Sequence, residues 1–520
     1  MQILKPKRRM DGALGNVFRR IKDRTCKASD VYASHTDGKL RASWGFLRTL
    51  FSETKTAALL ELLRIPSESG QEKRKAEHIL SLLKDMRVES WEDRHGNVLA
   101  LVRGKSSRTI LCEAHMDVVP RASGQVEGVN RGRLYGRGSS DTQSAIVTFL
   151  HVLDYVSARK EKIEDNLLVV FDVKEEISDT DPKGFVNFAR DFQAGGYPLL
   201  EGMKISAAII GEPTADDEGG LCVVVSSGGR LGFELSVGES TGTERVCRVV
   251  LRGGTGHSAN PRTGVNVIAG LRVLAKELEG NGMKITGAKA GVLSGNELDM
   301  SQHNVIPDCG FIDVLSPLED VSAAVSGWKM PEGMALAGVE MVNAPVNENT
   351  GLLLESAGKL VELDSMLEAR DVCGVEAKPS CCPVLLDSGK GTCFVDYRIA
   401  GSMNPGEARA NILGAVGEEV DVITKKTSRS CFLEKKDDCF LRAFGKKVRK
   451  IHVPWSHMGT HAQHDLGIRK VVVVSGGSRE DIHTSDESIR IRTFLRYARS
   501  IRRGVYRLLK KPGEYGIGAQ

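Results

Sequence analysis

Short runs of Val, Ile, Leu and Ala that stop at a histidine or a carboxylate constrain this chain more than any other feature. Thr109 to Ala114 leads into His115 and Asp117, and Leu167 to Val173 leads into Glu175 and Glu176. Ser206 to Ile210 leads into Glu212, Val471 to Val474 runs toward His483, and Asp141 follows the turn GRGSSD. Runs this short and this rich in β-branched residues predict buried strands, and their order predicts an α/β fold with a mostly parallel sheet. Open α/β sheets bind ligands beyond the carboxyl ends of their strands, so groups far apart in sequence can meet in one crevice.

A chain of 520 residues exceeds one ordinary core, and two compact domains with extra material are expected. No apolar stretch approaches the ~20 residues that span a bilayer, so no membrane partner is expected. Residues 1–41 hold 11 Lys or Arg against 4 Asp, a surplus of +7 in a chain whose net charge is +5. The basic excess therefore belongs to an amino-terminal extension, read as a solvated tail without a nucleic-acid partner. It lacks the apolar core of a secretory signal. Eleven cysteines without a CxxC pair, two of them adjacent at Cys381 and Cys382, point to reduced thiols and a cytoplasmic protein.

Residues 1–50 are read as the extension and 51–220 as the first segment of a catalytic domain. That segment opens with the helical stretch TAALLELLRIPSESGQEKRKAEHILSLLKDM, then alternates strand and helix. From Leu221 the pattern changes to long extended strands and Gly-rich turns, so 221–430 is expected to be an inserted α+β lid or dimerisation domain, with 431–520 returning to the catalytic domain. Within the insert FIDVLSPLEDVSAAVSGW and FVDYRIAGSMNPGEARANIL each read as strand, turn and helix.

His115 and Asp117 are two apart and project to one side of an extended chain. A metal-bound histidine gives its other ring N–H to an acceptor, a role open to a carboxylate at i+2. Asp141 stands where a helix begins and could simply cap it, but a glycine-flanked turn also holds a carboxylate rigidly enough to bridge two cations. Glu175 and Glu176 follow an apolar strand side by side and would diverge in extended geometry, one free to bind metal while the other takes a proton. Two histidines with three or four carboxylates form an oxygen-rich, nitrogen-containing set suited to zinc, cobalt or manganese.

With these motifs in order (HMDVVP, GRGSSD, KEEI, GEPT, GTGHSANPRTGVNVI, NVIPD and IHTSDESI), the chain resembles the M20 family of metallopeptidases and amidohydrolases, which includes glutamate carboxypeptidase, succinyl-diaminopimelate desuccinylase and acetylornithine deacetylase. The resemblance implies a metal-dependent hydrolase of an amide or peptide bond in a small N-acyl amino acid or short peptide, with two divalent ions, zinc foremost and cobalt or manganese as alternatives. It implies that Asp141 bridges the ions, His115 and Glu212 complete one site, and Glu176 and His483 complete the other. Glu175 would be the general base and Asp117 the group orienting His115. His257 would be the lid histidine, with Asn304, Arg398 and Thr460 contacting substrate, and a homodimer would form through the lid.

The chain departs from the family in two places. Thr142, Gln143 and Ser144 stand where Met-Lys-Gly is usual, and SHMGTHAQHD keeps Gly459 and Thr460 but loses an arginine, which bears on specificity. The second segment is expected to be a loop near the substrate, although His457, His461 and His464 with His452 could form a separate metal site. A non-catalytic protein that retained the fold, and an aminopeptidase without a lid, are the rival readings; the full set of ligands and the lid motifs weigh against both.

Overall fold

A computed structural model describes residues 55–121, 125–176, 184–216, 220–256, 258–294, 297–301, 303, 305–454, 457–479 and 482–517. The 1–50 extension lies outside the described residues. Two nine-stranded sheets organise the rest.

The first sheet runs, in spatial order, Glu89–Glu92, Val98–Val102, Asn166–Asp172, Arg108–His115, Lys204–Ile210, Val471–Val473, Leu221–Ser227 and Cys431–Phe432, with Val448–Val453 also paired to Leu221–Ser227. Its four central strands, from Asn166–Asp172 to Val471–Val473, are parallel. Antiparallel strands flank them, so the sheet is mixed around a parallel centre. The centre is apolar on both faces because helices cover both. Ile110, Cys112 and Ala114 pack toward Lys73–Asp85, Gln143–Ser157 and Ile491–Lys510, while Leu111, Leu168 and Val170 pack toward Gly184–Gln193 and Gly459–His464. Burial on both sides removes the polar alternation of a solvated strand, which is why these segments read as unbroken apolar runs.

The second sheet is antiparallel, in the order Ala335–Val346, Gly242–Arg252, Cys309–Leu315, Lys284–Ser294, Ser380–Asp387, Thr392–Ile399, Gly229–Ser236 and Asp421–Thr427. Helices Val267–Gly280, Leu318–Gly327, Thr350–Met366 and Pro405–Val416 share one core with it. The two look-alike strings are strand–turn–helix units of this sheet, as expected.

The change of sheet falls later than the sequence suggested. Leu221–Ser227 belongs to the first sheet, and the second begins only at Gly229. A Cβ at Gly228 would lie 2.4 Å from the Pro454 carbonyl oxygen, and one at Gly229 would lie 2.6 Å from that of Ser428. The crossing needs two glycines because backbone presses on it from both sides. The opening helical stretch is likewise divided, into a helix at 55–63 and the helix Lys73–Asp85. Pro66 and Gly70, the latter at φ 87°, break it, and the Ser67 hydroxyl between them donates to the Met116 carbonyl at 2.9 Å.

Candidate dinuclear metal centre

The parallel centre of the first sheet delivers its carboxyl ends to one place. His115 ends its strand, and parallel register sets it beside Asp172, the last residue of the next strand. His115 Nδ1 donates to the Asp117 carbonyl at 3.0 Å, which turns Nε2 toward Asp141 Oδ1 at 3.3 Å and Glu212 Oε1 at 3.8 Å. On the other side His483 Nε2 lies 3.4 Å from Asp141 Oδ2 and 3.1 Å from Glu176 Oε1. Two triads result, His115–Asp141–Glu212 and Asp141–Glu176–His483, each with its ligand atoms within 4.8 Å of one another. Asp141 belongs to both and turns one oxygen to each histidine.

The electrostatics of this cluster call for cations. Burial would raise the Asp141 carboxyl, yet the two histidines hold it below the usual range. Burial and then the Asp141 charge raise Glu212 well above its ordinary value and Glu176 to about 7. His483, which burial alone would depress, is lifted to about 10 by its hydrogen bonds to Asp141 and Glu176. Three carboxylates converging on two imidazoles gather protons because they lack enough positive charge; divalent ions supply it and suit a set of oxygen and imidazole nitrogen donors without thiolate.

Asp117 meets His115 with two groups, its main-chain carbonyl at 3.0 Å from Nδ1 and its carboxylate Oδ1 at 3.5 Å from the same nitrogen. The carboxylate also accepts the consecutive amides of Glu175 and Glu176, both at 3.0 Å, and the Ser69 hydroxyl at 2.6 Å. Burial opposes ionisation here, but His115 and these donors bring Asp117 down to about 2. The Glu175–Glu176 segment needs this anchor because the strand stops at Asp172 and Lys174 turns left-handed at φ 61°, so the two acids do not simply alternate along an extended chain. The Glu175 carboxylate is near enough to Glu212 and Asp172 to disfavour their ionisation.

Several supporting residues had escaped notice in the sequence. Glu487 is fully buried; it accepts from Arg137 Nη1 at 2.7 Å and from the amides of Ser140 and Asp141 at 3.0 and 3.2 Å, pinning the turn that presents the shared carboxylate. Lys75, 1% exposed, donates to Gln143 Oε1 at 2.8 Å, and Gln143 Nε2 donates to the Met116 carbonyl at 3.1 Å. An ammonium thus reaches the position of the Met-Lys-Gly departure from a different helix. Glu113 and Asp172 are buried behind His115, and burial followed by the Asp172 charge raises the Glu113 carboxyl well above its ordinary value.

The substrate-contact expectations divide. His257 and Asn304 lie outside the described residues. Arg398 is buried in the second sheet and directs Nε and Nη2 at Asp396 Oδ2, at 3.0 and 2.9 Å. Asp396 also receives Arg230 Nε at 2.7 Å and the Ser258 hydroxyl at 2.5 Å, so this carboxylate ties together strands that border both lid motifs. Thr460 is buried in a short helix, Gly459–His464, and not in the expected loop. The local histidines part company: His457 Nδ1 accepts from the Gly459 amide, His461 pairs with Asp465, His464 reaches the Ser430 carbonyl and His452 the Ser226 hydroxyl. Among the described residues none of the four joins a metal-ligand group.

Residues 111–507 match the peptidase family M20/M25/M40. The chain belongs to that family. A succinyl-diaminopimelate desuccinylase of Corynebacterium glutamicum is 26% identical over 310 residues, 58% of this chain and 76% of that one. A second desuccinylase, from Rickettsia rickettsii, is 26% identical over 199 residues, covering 35% of this chain but only 44% of the relative. The crystal structure of aminoacylhistidine dipeptidase from Vibrio alginolyticus superposes with a TM-score of 0.60 over 88% of this chain and 96% of its own at 15% identity, which establishes the fold. This M20 chain is a metal-dependent hydrolase of amide or peptide bonds.

Proposed function

We propose that the chain cleaves the amide bond of a small N-acyl amino acid or short peptide, using two zinc ions held by His115, Asp141, Glu176, Glu212 and His483. The observation that carries this reading is the position of Asp141, one oxygen toward each triad. When bound, such ions polarise the scissile carbonyl and acidify water. Glu175, held by Asp117 through its backbone amide, accepts the water proton and returns it to the departing amine. The buried His115 has its ring held in place by Asp117, whose carbonyl faces Nδ1 at 3.0 Å.

Residues 229 to about 430 are read as a lid that brings His257, Asn304 and Arg398 onto the substrate, with Thr460 at the floor. For Arg398 to grip a substrate carboxylate, its bonds to Asp396 must be shared or exchanged. The edge strand Ala335–Val346 supports a homodimer built on the second sheet. Ten free cysteines and no disulfide among the described residues support a cytoplasmic setting.

Purified protein is assayed against acylated amino acids and dipeptides with zinc, cobalt or manganese. Glu175→Gln is expected to lower turnover by ~2 to 4 orders of magnitude with metal content unchanged. Retention of activity by that variant removes Glu175 as the base.

A further inference from the structure

The helix Ile491–Lys510 carries a second, unrelated signature. Its inner face, Phe494, Tyr497, Ala498, Ile501, Val505, Leu508 and Leu509, is buried on the first sheet. Its remaining surface holds Arg492, Arg496, Arg499, Arg502, Arg503, Arg507 and Lys510, with no Asp or Glu anywhere in its 20 residues. Arg492, Arg499, Arg503, Arg507 and Lys510 are solvent-exposed and succeed one another at intervals of three, four or seven, a single stripe. At 1.5 Å per residue it runs roughly 27 Å.

Elsewhere arginines are commonly matched with acids, as Arg272 is with Glu355 and Glu362 or Arg248 with Asp313. Among the described residues none of the seven cations on this helix pairs with a carboxylate; Arg502 instead contacts His151 Nε2 at 3.0 Å, and Arg507 donates to the Ala443 carbonyl at 3.0 Å. Lys55, beside Arg502 and Arg499, falls to about 8 through burial and their repulsion. Among the described residues the nearby acids include Asp154, which bears on Lys55, Glu514, which Lys511 engages, and Glu164 and Asp165, whose amides donate to the Leu509 carbonyl and whose carboxylates pair with Lys105 and Arg108. Half-buried Tyr155 and Tyr506 meet edge to face at 5.3 Å, and the guanidinium groups of Arg159 and Arg502 lie 3.9 and 4.5 Å from the Tyr155 ring.

Unbalanced arginines around aromatic rings select a polyanion, and the planar guanidinium favours phosphate. A membrane surface is disfavoured because none of the exposed large apolar side chains lies on this helix. We infer that this helix is a sequence-independent docking face for the phosphate backbone of nucleic acid, separate from the hydrolytic centre. Contacts of this kind position a protein on nucleic acid without reading bases, so affinity should depend on salt and not on sequence.

Fluorescence anisotropy of the full-length protein with a labelled 20-base-pair DNA duplex, over a series of NaCl concentrations, tests this. Four phosphate contacts give a slope of log affinity against log salt near −3.6, at about −0.9 per contact. The quadruple substitution Arg492→Gln, Arg499→Gln, Arg503→Gln and Arg507→Gln should weaken binding at least tenfold and flatten the slope, with metal content and hydrolysis retained as the control for folding. Binding unchanged in that variant places any affinity in another part of the chain, such as the basic extension, and overturns the inference. So does an absence of duplex binding at 50 mM NaCl, or preferential binding to phosphatidylserine vesicles. A double substitution, Arg499→Gln with Arg503→Gln, repeats the test with half the effect if the quadruple variant misfolds.

Discussion

Substituting Glu487→Gln separates the support of the Asp141 turn from metal ligation. The carboxylate is fully buried, and its partner Arg137 is only 5% exposed. Glutamine keeps one oxygen for the Ser140 and Asp141 amides but turns an NH2 group toward Arg137 Nη1, which the wild-type carboxylate meets at 2.7 Å. Removing one partner of a buried ion pair costs about 3–5 kcal/mol, and retention of the amide contacts places this change at the lower end, about 3 kcal/mol. With about 2 °C of melting temperature per kcal/mol in a large domain, the metal-free protein should melt roughly 6 °C lower. Calorimetry of protein stripped by chelator measures it. Arg137→Leu combined with Glu487→Gln should recover part of the loss, because two donors no longer oppose one another. A single variant that melts within 1 °C of the parent, or a double variant no better than the single ones predict additively, refutes the reasoning.

Asp141→Asn should lower bound metal at both positions together, whereas Glu212→Gln should lower it at one; metal analysis after dialysis distinguishes the two outcomes. Lys75 sets a pH dependence. Burial holds its amine at about 7, against 10.5 when solvated, so between these values the unfolded chain binds the extra proton and stability rises with pH. The contribution is complete above 10.5 and lost as pH falls through 7. Urea midpoints of the parent should therefore gain on those of Lys75→Met between pH 7 and 10, and parallel curves would contradict the assignment. Ser69→Ala removes one donor from Asp117 and should weaken hydrolysis modestly, by about tenfold or less, visible in kcat more than in KM.

The two triads of candidate metal ligands were legible because each member follows an apolar strand or a glycine-rich turn, signals that survive without tertiary information. The boundary at Gly228 was not, since VVVSSGGRLGFELSV is extended throughout and a change of sheet leaves no mark on its period of two. Glu487 sits in TSDES, which resembles any solvated loop; only the arrival of Arg137 and the Ser140 amide makes it internal. Lys75 belongs to KRKAEH, the charged face of a helix by its spacing, and its burial depends on Gln143 some 68 positions away. For Asp117 the sequence offered only part of the role. A carboxylate two after a histidine lies beside the ring, but the carbonyl shares that contact, and the carboxylate also holds the Glu175–Glu176 backbone, which no spacing announces.

Glu176 and His483, 307 positions apart, meet only after the entire second sheet has been threaded between their strands. A nascent chain on the ribosome therefore exposes Asp141, Glu176 and Glu212 long before their last imidazole partner exists. Such an incomplete nest of acids repels itself and offers a cation only one finished cradle. A chain truncated ahead of residue 483 would therefore carry the His115–Asp141–Glu212 triad but lack the imidazole of the other.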